Sequence, residues 1–234
     1  MVQFGAYFVN AAGETSEPLK QPFKVKFDNV QDTLKYFFTG GIYGTHYAWN
    51  KVCRRSLFEN IEWPKISTRE DACISVQIFS KARKFIVTEE KFYYYLQRTD
   101  SLIHCSYLNI SKREDSVKAS EFVINFIERN FPDLLPEALF HPTFGFFDVI
   151  MEYIKLDVHD GRQIINQFVS LLRDKYFRMR RELKRQKRKL DMGYDLKFSR
   201  KKLLAMKLFA YCPSLIIFAL KIYFKRHALG EIKK

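Results

Sequence analysis

The 234-residue chain is 47% hydrophobic and 16% aromatic, with a formal net charge of +14; that is enough apolar material for a core in one or two compact domains, and too much for disorder along most of its length. Its four cysteines, Cys53, Cys73, Cys105 and Cys212, are scattered without CxxC spacing, which speaks against a disulfide framework or a zinc site and fits a reducing compartment. The charge is uneven: residues 1–172 hold 20 Lys/Arg against 21 Asp/Glu, whereas residues 173–234 hold 20 against 5, so a near-neutral body carries a cationic tail suited to an anionic partner.

The N-terminus shows neither the basic nor the apolar region of a secretory signal. VQFGAYFV, directly after Met1, alternates with a period of two and predicts a strand. Gly13 and ETSEP make a turn, FKVKF (23–27) predicts a second short strand, and VQDTLKYFFTG (30–40) a short helix closed by Gly40. GGIYG (40–44) lacks the G-x-G-x-x-G spacing of a dinucleotide-binding loop and reads as a helix end or loop. SLFEN (56–60) predicts a helical turn ended by Pro64.

STREDACISVQIF (67–79) sets two carboxylates, Glu70 and Asp71, at the mouth of an apolar segment. Ile74, Val76 and Ile78 permit a strand, but Ala72, Val76, Phe79 and Ala82 form a helical stripe; Ser67-x-x-Glu70 fits a capping box and acids suit a first turn, so a helix is predicted. The acidic pair can be a cap alone, contributing about 1–2 kcal/mol. KFIVTEE (84–90) and KFYYYLQR (91–98) read as an extended, aromatic pair, giving a mixed α/β pattern.

From Ser111 the pattern is helical. Val117, Phe122, Val123, Phe126 and Ile127 share one face, residues 131–147 form an irregular Pro/Phe-rich break, and FDVIMEYIKL resumes a helix. Asp160 caps a long helix whose stripe is Ile164, Phe168, Leu171, Leu172, Tyr176, Met179 and Leu183, and whose second half becomes RDKYFRMRRELKRQKRKL. Residues 203–224 are apolar but interrupted by Lys207, Pro213 and Lys221, which predicts two short amphipathic helices hinged at Pro213 in a lipid interface rather than a spanning helix. Arg180, Arg181, Lys184, Arg185, Lys187, Arg188 and Lys189 are the candidate membrane-binding residues. A nucleic acid would leave the apolar segment unused, so an anionic membrane surface is the expected partner and no nucleic acid is.

The order of residues over 48–101 adds a resemblance. Trp49, Asn50, Lys51, Arg54, Arg55, Leu57 and Phe58, then Pro64, then Glu70 and Asp71, then Lys81 to Lys84, then Tyr93, Tyr94, Tyr95, Gln97, Arg98, Ser101 and Leu102 follow one another without a gap. This resembles the acceptor-side half of bacterial family 2 glycosyltransferases, which have the GT-A fold. The resemblance implies inverting transfer of a sugar from a nucleotide-sugar donor to a hydroxyl of a glycan or lipid-linked acceptor. Asp71 matches the general base and Glu70 an orienting neighbour. Arg98 would stabilise the leaving diphosphate, and Lys51, Ser101 and His104 would contribute to substrate binding. Trp49 suits either a platform for a sugar face or a core position.

A complete family member also has a nucleotide-binding half ending in a D-x-D that holds Mg²⁺ or Mn²⁺, and no D-x-D occurs in this sequence, DVHD (157–160) and DMGYD (191–195) having the wrong spacing. No metal or cofactor is therefore expected within the chain itself. The expected architecture is an α/β chain with an incomplete GT-A-like mixed sheet over residues 1–110, a helical subdomain over 111–158, a long basic helix over 159–195 and an amphipathic membrane-associated tail over 196–234. It would work in the cytoplasm, peripheral on the inner face of the cell membrane. The alternative is a non-catalytic glycosyltransferase remnant that binds anionic membrane through its basic tail.

Overall fold

The computed structural model describes residues 1–15, 24–40, 45–98, 107–141, 144–157, 161–191 and 196–231. The chain is mixed α/β. A four-stranded sheet is built from β1 (Val2–Val9), β2 (Val25–Phe27), β3 (Lys51–Val52) and β4 (Phe85–Leu96), in the order β2-β4-β1-β3. β1 and β4 run parallel, from Val2 opposite Ile86 to Val9 opposite Leu96, with register shifts around Gly5; β3 on β1 and β2 on β4 are antiparallel. A parallel pair needs a crossover connection, and here it contains α1 (Val30–Thr39) and α2 (Glu70–Lys81).

Local chemistry explains the ends of α1. Asn29 accepts from the Asp32 amide at 2.8 Å, while the Gly40 amide closes the other end on the Tyr36 carbonyl. A Cβ at Gly40 would lie 2.9 Å from the Tyr36 ring, so glycine is needed there for close approach. Leu34, Tyr36, Phe37 and Phe38 from α1, Val76 and Phe79 from α2, and Phe85 and Val87 from β4 form one core. Fully burying such a side chain contributes about 1.5–3 kcal/mol.

The remainder is helical: α3 (Ile110–Asn130), α4 (Leu135–Phe140), α5 (Phe144–Leu156), α6 (Gly161–Arg185), α7 (Leu196–Tyr211) and α8 (Pro213–Glu231). A second core gathers residues such as Phe146, Ile150, Phe168, Leu172, Tyr176 and Met206. α3 and α4 serve both cores, Val123, Ile127 and Ala138 facing the sheet side and Ile124, Leu135 and Leu139 the helical side.

Three expectations change at this level. The extended pair over 84–98 is one twelve-residue strand, β4, because β1 runs alongside it in parallel from Val2 to Val9. The break over 131–147 contains a 3-10 turn (Pro132–Leu134) and then α4, all six of whose residues are buried. The long basic helix stops at Arg185, and Lys187 adopts φ 51°. Arg188 beyond it turns inward to clamp Glu137 with two bonds of 2.7 Å and to donate to the Asp133 carbonyl. Glu137 is 1% exposed, so the charge of Arg188 is neutralised by a buried partner rather than left free for a lipid surface.

Candidate functional site around Asp71

α2 leads into β4 through a short connection and packs against α1 and α3. The helix begins at Glu70, as acids in a first turn favour, but the capping box does not form. Ser67 instead gives both its backbone N–H (2.8 Å) and its hydroxyl (2.7 Å) to Asp115 of α3, joined by the Thr68 amide at 3.2 Å. These bonds hold the Asp115 carboxyl below the usual carboxylate range against the opposing effect of its desolvation. Arg69 takes the N-cap position with φ 65°.

Asp71 is half-buried, its Oδ1 accepting from the Ala72 amide at 2.8 Å. Desolvation, and then the charge of Glu70, push its pKa up to about 6, while Ala72, Lys51 and Arg69 hold it back. Lys51 moves the other way, down to about 7, because burial disfavours its ammonium more than the Asp71 and Cys53 charges favour it. Its Nζ donates to Asn50 Oδ1 at 2.7 Å and to the Tyr47 carbonyl. Two desolvated groups of opposite sign thus titrate within a unit of neutral pH, the pattern expected of a proton-transfer site.

Beside them lies an aromatic stack. Trp49 stacks with Tyr47 (5.0 Å, 16°) and with Tyr93 (5.1 Å, 23°), and Tyr95 is tilted against it at 4.9 Å. Tyr93 and Tyr95 reach the same ring because alternate residues of a strand share a face. Tyr47 links stack and carboxylate: burial raises its phenol pKa, and the Asp71 charge and Tyr95 raise it further.

Behind the α2 N-terminus is a second polar layer that sequence reasoning did not find. Arg69 donates to the Tyr107 hydroxyl at 2.8 Å and lies 3.7 Å from Asp148 on α5. Its guanidinium passes Gly145 so closely that a Cβ there would sit 2.9 Å from Arg69 Cζ. His46 and His141 meet Nε2 to Nε2 at 2.9 Å, against Phe37 and Phe38. His46 Nδ1 is buried with no partner among the described residues, and the Nε2–Nε2 contact needs one neutral ring to donate and the other to accept. Desolvation, followed by the Lys51, Arg69 and Lys202 charges, pushes His46 down to about 3, and burial with its His46, Lys202 and Arg69 neighbours carries His141 well below its ordinary value. Lys202 of α7 donates to the His141 carbonyl at 3.0 Å, and its own burial holds it well below the usual lysine range.

Of the residues singled out from sequence, Asp71, Glu70, Lys51 and Trp49 converge here. Arg98 is exposed just past the end of β4, three residues beyond Tyr95. Ser101 and His104 lie outside the described residues. Among the described residues no three His, Cys, Asp or Glu side chains come together as metal ligands. Neither a family model, nor a curated protein, nor a solved structure matches this chain.

Proposed function

We propose that this chain provides the acceptor side of an inverting sugar transfer, in which a hydroxyl of a glycan or lipid-linked acceptor attacks the anomeric carbon of a nucleotide-sugar. Asp71 takes the hydroxyl proton as the new C–O bond forms and the nucleoside diphosphate leaves with the electrons of the broken bond. The observation that carries this reading is a carboxylate raised to about 6 beside a stacked Trp49. A base near working pH is what a proton abstraction requires, and an aromatic cluster whose Tyr93 is 39% exposed offers the apolar face of a sugar ring a surface to pack against.

Lys51 supplies positive charge that lowers the Asp71 pKa, keeping the base available when the acceptor binds. Glu70 acts on Asp71 through its charge, in the opposite direction. The order of residues over 48–101, which resembles the acceptor half of GT-A enzymes, supports the same reading. Among the described residues no three His, Cys, Asp or Glu side chains gather to hold a metal; donor and metal binding would fall to a nucleotide-binding half acting with this one.

The test is sugar transfer from a panel of UDP-hexoses, using the full chain together with a membrane extract of the native cells. Asp71→Asn should lower turnover by about 10²- to 10⁴-fold with the fold intact. Unchanged turnover would remove Asp71 from the base role and leave the chain a non-catalytic remnant.

A further inference from the structure

The end of α6 and the residues just beyond it crowd cations together. Arg180, Arg181, Lys184, Lys187 and Lys189 line an open basin of about 960 Å³ with Tyr211 of α7 at its edge. Four other cations of this helix and its exit are matched by acids: Lys175 with Glu121, Arg178 with Glu128, Arg185 with Glu182 and Arg188 with Glu137. Among the described residues, no carboxylate forms an ion pair with Arg181, Lys184, Lys187 or Lys189. Like charges held this close favour a polyanion as counterpart.

Tyr211, which lines the basin, belongs to an exposed apolar stripe of α7, and α8 beyond it carries a second such stripe. Tyr211 packs edge-on against Tyr176 and Phe177 at 5.9 and 5.5 Å yet remains 56% exposed. On α7, Leu204, Leu208 and Tyr211 recur at i, i+4 and i+7; on α8, Leu215, Phe218 and Ile222 recur at i, i+3 and i+7, and all six are exposed. Each set is therefore a single stripe on its helix. The two helices meet at Pro213 with a bend of 118°, and among the described residues no single helix is long and apolar enough to cross a membrane.

We propose that this face docks on an anionic lipid leaflet, the basin of Arg181, Lys184, Lys187 and Lys189 receiving phosphate headgroups while the exposed stripes of α7 and α8 enter the acyl boundary. Charge and polarity together select the occupant. A nucleic acid would satisfy the cations but leave the stripes in water, and a second copy of this chain would cover the stripes but add like charge. A bilayer with anionic headgroups meets both needs. The proposal does not depend on the sugar-transfer reading, and its test is read without any catalytic assay.

The full chain is floated with phosphatidylcholine vesicles containing about 30% phosphatidylglycerol, an anionic fraction strong enough for electrostatic recruitment, and with pure phosphatidylcholine vesicles. A short DNA duplex is titrated in parallel. The expected result is partition onto the anionic vesicles only. Replacing Arg181, Lys184, Lys187 and Lys189 together by Gln weakens it on the order of 100-fold or more, since each such cation is worth roughly a fivefold factor. Leu208→Ser with Leu215→Ser and Phe218→Ser weakens it as well. All seven positions are exposed, and circular dichroism with a thermal melt confirms that the variants fold. Undiminished vesicle binding by the Gln variant overturns the proposal. So do equal binding to both vesicle types, duplex binding in place of vesicle binding, and a concentration-dependent dimer without vesicle binding.

Discussion

Asp71→Asn separates a helix cap from a working base by the sign of its effect on stability. Its carboxyl is raised from an ordinary 3.8 to about 6, so the folded protein binds that proton more tightly than the unfolded chain does. The favourable situation therefore holds in full below pH 3.8 and is lost as pH rises through 6, above which an ionised Asp71 costs stability. Two pKa units correspond to about 3 kcal/mol; residual exposure and screening reduce this to about 1–3 kcal/mol. Asn keeps the acceptor for the Ala72 amide, 2.8 Å away, while removing the charge. The variant should gain about 1–3 kcal/mol at pH 7, a melting temperature higher by roughly 2–10 °C for a chain of this size, and should gain nothing near pH 3.5. Urea denaturation followed by circular dichroism at both pH values is the assay. Were Asp71 only a first-turn acid, Asn would lose a few tenths to 1 kcal/mol of dipole stabilisation at pH 7; a loss of that kind refutes the reasoning.

Arg188→Met should destabilise by about 3–5 kcal/mol, because it strands the Glu137 carboxylate in the interior; Lys184→Met, at an exposed unpaired position, should change stability by less than about 0.5 kcal/mol. Adding Glu137→Met to Arg188→Met should recover most of the loss, and thermal melts of the three variants that fail to show this order would dissolve the distinction between folded and free cations. The depressed histidines act in the opposite sense to Asp71: the stability that His46 confers is complete above pH 6.5 and is lost as pH falls toward about 3, since the unfolded chain takes up a proton that the folded one refuses, and His141 acts in the same direction. His46→Asn should therefore flatten the decline between pH 6.5 and 5 by about 2 kcal/mol, and identical slopes in wild type and variant would show that the pair is not buried neutral.

Much of the framework is legible where the determinants are local. β1 lies where the run after Met1 places it, α1 ends at Gly40 as expected, and α7 and α8 are hinged at Pro213. The misreadings arise where a distant residue wins a competition. Ser67 has the right spacing for a cap, but Asp115, 48 residues away, takes its hydroxyl and amide. The basic run has helical composition past Arg185, but Glu137 draws Arg188 inward from 51 residues away. The site shows the same division. Asp71, Glu70, Lys51 and Trp49 lie within one stretch and could be read together. His46 and His141 are 95 residues apart, and Lys202 a further 61, so no periodicity or spacing announces their meeting. Arg69 stood in plain view before Glu70 and Asp71, but its left-handed backbone and its place against Gly145 are properties of the packed chain.

The most direct test of the sugar-transfer account is the pH profile of transfer under limiting acceptor, kcat/KM, for wild type and Asp71→Asn. The account predicts a wild-type rate that climbs tenfold per unit below pH 6 and levels above it, following ionisation of a carboxylate near 6, and a variant whose residual rate, lower by about 10²- to 10⁴-fold, lacks that limb. A wild-type rate independent of pH between 4.5 and 7, or an ascending limb that survives in the variant, would mean that some other group takes the acceptor proton.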